Sequence, residues 1–473
     1  MIIEAMTAKR EMRLFRRIPQ RFLTALALVL FLGTCLRAQD KNSDKTAQDK
    51  TPPALVMVSV DGMKPEYVTQ AEQHGAKVPN LRKMMGEGAY AEGVQGVVPT
   101  VTYPSHTTLI TGVWPAKHGI LANTLFDPLD KGKQAWYWYA EDLKVPTLYD
   151  AAREAGRTTA SVQWPVTVGA KITWDIPEVW RAGDENDLKL IHAVATPGLM
   201  EEVRKDLGEY RGGIDAAVEA DEIRARYAEW ILVKKQPSLL LLHLLALDHL
   251  EHETGLYSND DLAALERLDE AIGKLRATAE RAFLGRVVFA VVSDHGFVNV
   301  GKQVNFGPAF VQARLITLDK KEKVTDWKAF PWATGGSAAI VLKDPKDQAV
   351  AAQVRELLAK LAADPANGID RVLEADDLHK RGGYPPASFF VGLRPGWKNG
   401  YALTGPLVQT VKLSGTHGAL NDLPELRSSF FVVGGGVPKN KNLGVIDMRD
   451  IAPTLAKLAG LSLPTADGKN LLP

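Results

Sequence analysis

Residues 54–62 read Ala-Leu-Val-Met-Val-Ser-Val-Asp-Gly, an almost entirely apolar run that ends at an aspartate and a glycine. A run without regular polar alternation is typical of a strand buried on both faces of a parallel sheet. Two later segments repeat the arrangement: Ser238–Leu247 is followed by Asp248, and Arg286–Ser293 is followed by Asp294. We therefore predict parallel strands that each end at a carboxylate.

Helical patterns alternate with these strands, which predicts an α/β fold with a mainly parallel central sheet and helices on both faces. Residues 305–412 are less regular and are interpreted as a smaller inserted cap, with a strand at Ser337–Leu342 and a helix at Gln348–Ala363. Ser428–Val433 is predicted as a fourth core strand. The other predicted helices are Val78–Met85, Thr147–Ala155, Asp221–Lys234, Asn259–Ala282 and Met448–Ala459.

The N-terminal segment has a targeting pattern. A basic stretch precedes the apolar run Phe22–Leu36, and a small residue, Ala38, follows it. This is the order of a secretory signal peptide, so we predict a signal peptide over 1–38, a flexible linker over 39–53 and a catalytic domain over 54–473. The mature protein is then exported to the periplasm or the extracellular space. An uncleaved anchor helix is the alternative, although the run is short for a membrane span.

Composition limits the function classes. The 473 residues suit one large α/β domain with insertions. The net charge is +1, so no global field attracts nucleic acid or membrane, and we expect no nucleic-acid binding by a basic surface. Cys35 is the only cysteine, which excludes an intrachain disulfide. A lipoprotein modified at Cys35 is an alternative to a freely soluble form.

The aspartates after the strands predict a metal site. The carboxyl ends of parallel strands lie along one edge of a sheet, and carboxylates brought together there repel one another unless cations offset the charge. His252 follows Asp248 by four residues, a spacing that shares one helical face. His295 adjoins Asp294, and His417 lies in a glycine-containing loop. Mixed Asp and His ligands are typical of zinc in a hydrolase.

A hydroxyl-rich segment supplies a candidate nucleophile. Residues 99–108 read Pro-Thr-Val-Thr-Tyr-Pro-Ser-His-Thr-Thr, after a strand-like run at Gly93–Val98. Because proline is favoured in a first helical turn, we predict a short helix near Pro104, with Thr102 just before its N-terminus, where backbone N–H groups favour phosphate oxygens. Metal coordination can activate such a hydroxyl. The alternative is that Thr102 serves only as the N-cap of the helix. Four other hydroxyls compete with Thr102 as the nucleophile, and spacing alone does not choose among them: Thr100, Ser105, Thr107 and Thr108.

Several of these motifs together resemble the nucleotide pyrophosphatase/phosphodiesterase family of the alkaline phosphatase superfamily, from about Leu55 to Leu472. The matching stretches are Val58-Ser59-Val60-Asp61-Gly62, Pro99-Thr100-Val101-Thr102-Tyr103-Pro104-Ser105-His106, Thr111-Gly112-Val113-Trp114-Pro115, His118-Gly119-Ile120, Ala122-Asn123, Ser293-Asp294-His295-Gly296 and Thr416-His417-Gly418.

The resemblance implies two Zn²⁺ per chain and a nucleophile, Thr102, that is transiently phosphorylated. The implied ligands of the first zinc are Asp61, Thr102, Asp294 and His295. The implied ligands of the second zinc are Asp248, His252 and His417.

The resemblance also implies substrate contacts. Asn123 matches an asparagine that hydrogen-bonds a non-bridging phosphate oxygen. Tyr103 matches an aromatic position that can stack on a nucleobase, with simple packing as the alternative. The pair Trp164-Pro165 resembles a wall of the substrate pocket.

Three residues near the predicted ligands are left out of the metal site. Glu251 stands where the family usually has glycine, and we interpret it as exposed rather than as a partner of a ligand. His243 lies within a strand pattern and His249 lies beside a ligand, so neither is assigned to the metal site.

The predicted function is therefore a two-zinc hydrolase that cleaves phosphodiester or nucleotide pyrophosphate bonds of a small-molecule substrate. A phosphomonoesterase or phosphonate hydrolase of the same superfamily is the alternative, and Lys171 or Arg181 would then supply the extra cation for a monoester. The sequence does not favour a sulfatase, because no cysteine matches the position that such enzymes convert to an aldehyde. A non-catalytic metal- or polyanion-binding protein would lack some of the implied metal ligands, yet this sequence contains all of them.

Overall fold

The computed structural model describes residues 52–132, 135–179, 181, 185–210 and 216–473. The predicted signal peptide and nearly all of the predicted linker lie outside these residues. Residues 53–473 form one compact unit. Within the described residues, no helix combines the length and the apolar character needed to cross a membrane.

The first apolar run forms strand β1, Ala54–Val60, and all seven of its residues are buried. Alternate side chains enter two different cores: Val56 and Val58 pack on one face of the sheet, and Leu55 and Met57 pack on the other. The strand is therefore covered on both faces, as its composition predicts.

The described residues form nineteen strands. In chain order they are β1 Ala54–Val60, β2 Ala89–Tyr90, β3 Gly93–Gln95, β4 Thr159–Val162, β5 Trp174–Ile176, β6 Leu239–Leu244, β7 Val287–Val292, β8 Val298–Val304, β9 Ile316–Leu318, β10 Val324–Trp327, β11 Ala329–Ala333, β12 Ser337–Leu342, β13 Ile369–Glu374, β14 Ala387–Leu393, β15 Gly396–Asn399, β16 Val408–Thr416, β17 Phe430–Gly434, β18 Lys441–Asn442 and β19 Val445–Asp447.

The central sheet has eight strands in the order β18-β2-β17-β7-β1-β6-β4-β5. Strands β7, β1, β6, β4 and β5 run parallel to one another, and β17 pairs antiparallel with both β7 and β2. The mainly parallel α/β sheet predicted from the sequence is confirmed.

Fifteen α-helices lie in the described residues, and some of them cover the two faces of this sheet. In chain order they are α1 Glu66–Thr69, α2 Ala71–His74, α3 Pro79–Glu87, α4 Thr102–Thr111, α5 Pro115–His118, α6 Leu148–Glu154, α7 Glu185–Val194, α8 Leu199–Leu207, α9 Val218–Lys234, α10 Ala246–Thr254, α11 Asn259–Ala282, α12 Phe306–Gln312, α13 Gln348–Ala363, α14 Ala375–Lys380 and α15 Ile451–Leu458. Helices α3, α9 and α11 contribute to one core, and α4, α6 and α15 contribute to the other.

A second, antiparallel sheet occupies the segment interpreted as an insertion. Its order is β11-β12-β14-β13, and it shares a separate core with α13 through residues such as Ile340, Val354 and Phe389. The sequence predicted only β12 and α13 of these elements. A three-stranded sheet, β15-β8-β16, lies between residue 295 and residue 417 of the chain.

Two predicted boundaries near the site are wrong. The strand predicted over Ser238–Leu247 ends at Leu244, and helix α10 begins at Ala246. Ala246 and Leu247 are buried as helical residues, so an apolar run could not mark this transition. Helix α4 begins at Thr102 itself, with Val101 as its extended N-cap residue, so Thr102 does not precede the helix and is not its N-cap.

Candidate active site

The predicted metal ligands converge although they come from distant elements. Asp61 follows β1 directly, and Asp294 lies two residues after β7. Asp248 lies in the first turn of α10, and His417 follows β16. The parallel strands bring the first three to one sheet edge, and the three-stranded sheet brings the fourth to the same place.

The first group contains Asp61, Asp294 and His295, whose nearest ligand atoms all lie within 4.8 Å of one another. Nε2 of His295 lies 3.1 Å from Oδ2 of Asp294 and 3.4 Å from Oδ1 of Asp61. The backbone N–H of Gly62 donates to Oδ1 of Asp294 at 3.1 Å, which leaves Oδ2 directed at the group.

The second group contains Asp248, His295 and His417. Nε2 of His417 and Nε2 of His252 each lie 3.6 Å from Oδ1 of Asp248. His252 is thus adjacent to this group, although it falls outside the three-residue set. His295 stands in both groups, whereas the sequence resemblance gives it only to the first.

The orientation of the two histidines favours metal binding. Nδ1 of His417 lies 3.0 Å from the carbonyl oxygen of Thr100, and Nδ1 of His252 lies 3.2 Å from that of Gly415. Because a carbonyl only accepts, each Nδ1 carries the proton, and each Nε2 offers a lone pair to the centre. Ligating histidines are typically held in this way by their second nitrogen.

The electrostatics also fit cations. Burial raises the pKa of Asp61 and of Asp294 well above the usual range, and the neighbouring carboxylates raise both further. Burial lowers the pKa of His295 well below its usual value and that of His417 to about 4. Buried polar atoms are normally hydrogen-bonded, yet several atoms that approach one another at the centre form no hydrogen bond among the described residues: Asp61 Oδ1, Asp248 Oδ1, Asp294 Oδ2 and both ring nitrogens of His295. These residues therefore fit a metal centre.

Thr102 and Asn123 face the same cleft. A cavity of about 290 Å³ is lined by both of them and by Asp61, Asp248 and His417. The N–H of Tyr103 donates to Oδ1 of Asn123 at 2.9 Å, and Nδ2 of Asn123 lies 3.4 Å from Oγ1 of Thr102. The backbone contact fixes which end of the amide faces the threonine hydroxyl.

The competing hydroxyls point elsewhere. Those of Thr100, Thr107 and Thr108 donate to backbone carbonyls, and Ser105 is fully buried and does not line this cavity. Geometry thus favours Thr102 where spacing left the choice open.

The helix N-terminus offers less to a phosphate than the sequence suggested. The N–H of Tyr103 is bonded to Asn123, Pro104 has no N–H, and the N–H of Ser105 donates to the carbonyl of Val101 at 3.2 Å. Asn123 therefore replaces part of the backbone as hydrogen-bond donor towards the cleft.

The aromatic residues differ from expectation. The Trp164 side chain is fully buried and packs edge-on against His106, so it presents no surface to a ligand and is not a pocket wall in this structure. Tyr103 is also fully buried, with its ring centroid 5.2 Å from that of Trp136. Half-buried Trp136, which the sequence analysis did not select, lines the cavity beside Thr102.

The sequence analysis leaves His243 out of the metal site, but its side chain contacts a member of the first group. Its Nε2 lies 3.0 Å from Oδ2 of Asp61, and its Nδ1 lies 2.8 Å from Oε2 of Glu178. All three side chains are buried. His243 therefore orients Asp61 so that the other carboxylate oxygen faces the metal group. Its position on β6 beside Ser59 of β1 is the feature that could have indicated this.

The prediction that Glu251 is exposed is wrong. Glu251 is fully buried, and its Oε1 accepts a hydrogen bond from the Tyr67 hydroxyl at 2.7 Å. Positions i, i+3 and i+4 share a helical face, so Glu251 lies on the same face of α10 as Asp248 and His252, which is the face that packs towards the site. Its Oε2 lies 2.6 Å from the point that a Cβ on Gly62 would occupy, and Gly62 has φ of +75°. Both facts require glycine at position 62.

A buried ion pair fixes the start of α10. Asp221, on α9, accepts from the backbone N–H groups of Leu245 at 3.0 Å and Ala246 at 2.8 Å. It also pairs with Arg224, and both side chains are fully buried. The sequence analysis did not identify this pair, which anchors the helix that carries Asp248 and His252.

The two cations considered for a monoesterase lie elsewhere. Lys171 lines a separate surface cavity with Glu141 and Arg153. The Arg181 guanidinium lies over Trp138, 6.0 Å from the ring centroid. The described residues that line the Thr102 cavity include no lysine or arginine.

A mainly parallel sheet with an Asp/His cluster and a hydroxyl at its carboxyl edge defines the alkaline-phosphatase-like class of α/β proteins. Residues 55–420 match the family described as type I phosphodiesterase / nucleotide pyrophosphatase. The chain belongs to that family.

Similar proteins agree with this placement. Human ectonucleotide pyrophosphatase/phosphodiesterase family member 1 is 25% identical over 260 residues, which cover 52% of this chain and 24% of that protein. Human bis(5'-adenosyl)-triphosphatase ENPP4 is 23% identical over 303 residues, which cover 62% and 55%. The chain thus matches between about a quarter and about half the length of these curated relatives.

Two solved structures share the fold. Human ectonucleotide pyrophosphatase / phosphodiesterase 5 is 20% identical, covers 88% of this chain and 97% of its own, and has a TM-score of 0.62. The murine form of that protein was solved as an inactive threonine-to-alanine variant in complex with AMP. It is 20% identical, covers 88% of this chain and 97% of its own, and has a TM-score of 0.63.

Proposed function

We propose that this chain is a metal-dependent hydrolase that cleaves phosphodiester or nucleotide pyrophosphate bonds of small molecules. The observation that carries the proposal is the shared cleft, in which the Thr102 hydroxyl and the Asn123 amide face the Asp/His cluster. Membership of the type I phosphodiesterase / nucleotide pyrophosphatase family supports the same chemistry.

We assign two zinc sites to the cluster. Asp61, Thr102, Asp294 and His295 would hold one ion, and Asp248, His252 and His417 would hold the other. The pair, when bound, supplies positive charge that lowers the pKa of the threonine hydroxyl and offsets the charge on the phosphate. The unpartnered carboxylate oxygens and the exposed Nε2 lone pairs described above support this assignment.

The protein's own groups then have distinct roles. Oγ1 of Thr102 loses its proton to solvent and attacks phosphorus, and the bond from phosphorus to the leaving-group oxygen breaks, so that this group departs with the electron pair. Water then hydrolyses the phospho-threonine in a second step and restores the Thr102 hydroxyl. Nδ2 of Asn123 donates to a non-bridging oxygen, because the Tyr103 N–H holds the opposite end of the amide. A donor fixed before the reaction stabilises developing charge without reorganising. Tyr103 and Trp136 form an aromatic wall in which only Trp136 is open to a ligand.

Diesters fit the Thr102 cavity better than monoesters do. A monoester has one more negative charge at the reacting phosphorus, yet the described lining residues provide no lysine or arginine there, and Glu178 adds a carboxylate. We therefore infer a preference for substrates with a single negative charge at the phosphorus attacked.

Substitution of Thr102 tests the proposal. Thr102→Ala should remove nearly all turnover of a nitrophenyl nucleotide diester while zinc content stays near two per chain, and Thr102→Ser should retain part of the activity. Thr107→Val is the matched control, because Thr107 lies on the same helix, its hydroxyl donates to the carbonyl of Tyr103, and it does not line the Thr102 cavity. Chelation should abolish activity, and added zinc should restore it.

Three results would contradict the proposal. They are normal turnover by Thr102→Ala, full activity in a verified metal-free preparation, and a higher kcat/KM for nitrophenyl phosphate than for the nucleotide diester.

We also propose export to the periplasm or the extracellular space, on the basis of the basic and apolar N-terminal stretches.

A further inference from the structure

A second, larger cavity lies against the cluster. It has a volume of about 580 Å³ and is lined by Asn123, His252 and His417 on the side of the site. Its opposite side comes from the insertion and β8, and includes Gln303, Trp332 and Lys398. Thr102 lines the smaller cavity and not this one.

This arrangement fits the geometry of an in-line displacement, in which the leaving group departs opposite the attacking oxygen. The attacking oxygen belongs to the Thr102 cavity. The departing half of the substrate would then lie beyond the cluster, next to His252 and His417, where the second cavity begins. We call this second cavity the leaving-group cavity.

Lys398 gives the leaving-group cavity its charge. Among the described residues that line either cavity, it is the only lysine or arginine. Its Nζ has one weak contact, 3.5 Å from Oγ of Ser414, and no carboxylate of the described residues forms an ion pair with it. A half-buried ammonium group without a counter-ion is suited to bind an anion.

The sheet β15-β8-β16 holds Lys398 in a fixed relation to the cluster. Lys398 lies on β15 opposite Gln303 of β8, and β8 begins three residues after His295. β16 pairs with β8 and ends next to His417. Ser414, the partner of Lys398, is three residues before His417. Lys398 therefore lies on the sheet whose other two strands adjoin the candidate ligands His295 and His417.

The neighbouring amide is also suited to a polar ligand. Asn399 is 5% exposed, and neither its Oδ1 nor its Nδ2 has a hydrogen-bond partner among the described residues. It lines the leaving-group cavity beside Lys398. An unpaired buried amide costs free energy that a bound polar group would offset.

We propose that Lys398 selects substrates whose leaving group is anionic, with inorganic pyrophosphate as the group that fits best. The inference rests on the proposed function and narrows its substrate class to nucleotide pyrophosphates rather than diesters of neutral alcohols. In the step, Oγ1 of Thr102 bonds to the α-phosphorus and its proton passes to solvent. The bridging oxygen leaves with its electron pair, so negative charge grows on the pyrophosphate, where Lys398 offsets it.

The contribution of Lys398 is isolated by two substrates that transfer the same group, thymidine 5'-monophosphate, to Thr102 and differ only in the leaving group. Thymidine 5'-triphosphate releases pyrophosphate, and the p-nitrophenyl ester of thymidine 5'-monophosphate carries an uncharged group in that position. A hydrogen bond to a charged group contributes enough for about a tenfold to hundredfold change. Lys398→Met should lower kcat/KM for the triphosphate by that factor and change kcat/KM for the ester less than about threefold. Lys398→Arg should retain most of the triphosphate activity.

The control variant is Lys412→Met, which removes the same charge from an exposed position on β16 of the same sheet and should leave kcat/KM for both substrates unchanged. A binding measurement adds a readout independent of turnover: in a Thr102→Ala background, Lys398→Met should weaken thymidine triphosphate binding, measured by calorimetry, by a similar factor. Added salt should reduce triphosphate turnover more in the wild type than in Lys398→Met.

Equal losses on both substrates, or no loss on the triphosphate, would overturn the role of Lys398. If the wild type turns over neither substrate, the proposed function itself fails, and this outcome is distinct from the first two.

Discussion

Removal of the Asp221 carboxylate should destabilise the protein and loosen the second metal group. Asp221 accepts two backbone N–H groups at the start of α10 and pairs with Arg224 where neither side chain is exposed. Breaking a buried pair by removing one partner costs about 3–5 kcal/mol, because the other charge stays buried. Asp221→Ala should therefore lower the free energy of unfolding by about 3–5 kcal/mol, a large part of the total for a typical domain.

Urea denaturation measures this loss, and metal analysis of the folded variant measures its consequence. Because α10 carries Asp248 and His252, we expect Asp221→Ala to retain less than two zinc ions per chain. The double variant Asp221→Ala/Arg224→Met removes the uncompensated charge and should recover part of the lost stability. Lys117→Met, which breaks the exposed pair with Asp467, should cost less than about 1 kcal/mol.

A loss below about 1 kcal/mol for Asp221→Ala would refute this reasoning, as would a double variant less stable than the single one. If Asp221→Ala does not fold, Asp221→Asn provides the measurement, since it removes the charge but keeps one of the two oxygens that accept backbone N–H groups.

Two further predictions concern pH and the N-terminus. Burial lowers the pKa of His118 from 6.5 to about 3, and its Nδ1 accepts from the N–H of Ile120, so the folded state holds the neutral ring. The stabilisation is complete above pH 6.5 and is lost as the pH falls from 6.5 towards 3, at roughly 1.4 kcal/mol per unit. Between pH 7 and pH 4.5 the wild type should lose about 2–3 kcal/mol more than His118→Gln in urea unfolding, and identical pH slopes would contradict this. For export, N-terminal sequencing of the native protein should give a start near Gln39, and an intact Met1 on a cytoplasmic protein would contradict cleavage.

Local patterns in the sequence determined the fold class, several secondary-structure elements and the candidate metal ligands. The apolar run of β1 and the boundaries of α11, Asn259–Ala282, follow from composition and periodicity, because each is set by residues adjacent in the chain. The aspartates that follow β1 and β7 could be placed at one edge, since parallel strands all present the same end there. The shared motifs indicated the family.

Only the tertiary structure decided which further side chains are buried beside the candidate site or line its cavities. Glu251, His243 and Asp221 are buried beside the site because Tyr67, Glu178 and Arg224 reach them from other elements. Trp164 faces a core while Trp136 faces the cleft, although both are tryptophans in irregular segments. Lys398 meets the site only through pairing of β15 with β8, almost a hundred residues away. Burial and charge pairing depend on which distant elements pack together, and no local period of the sequence carries that information.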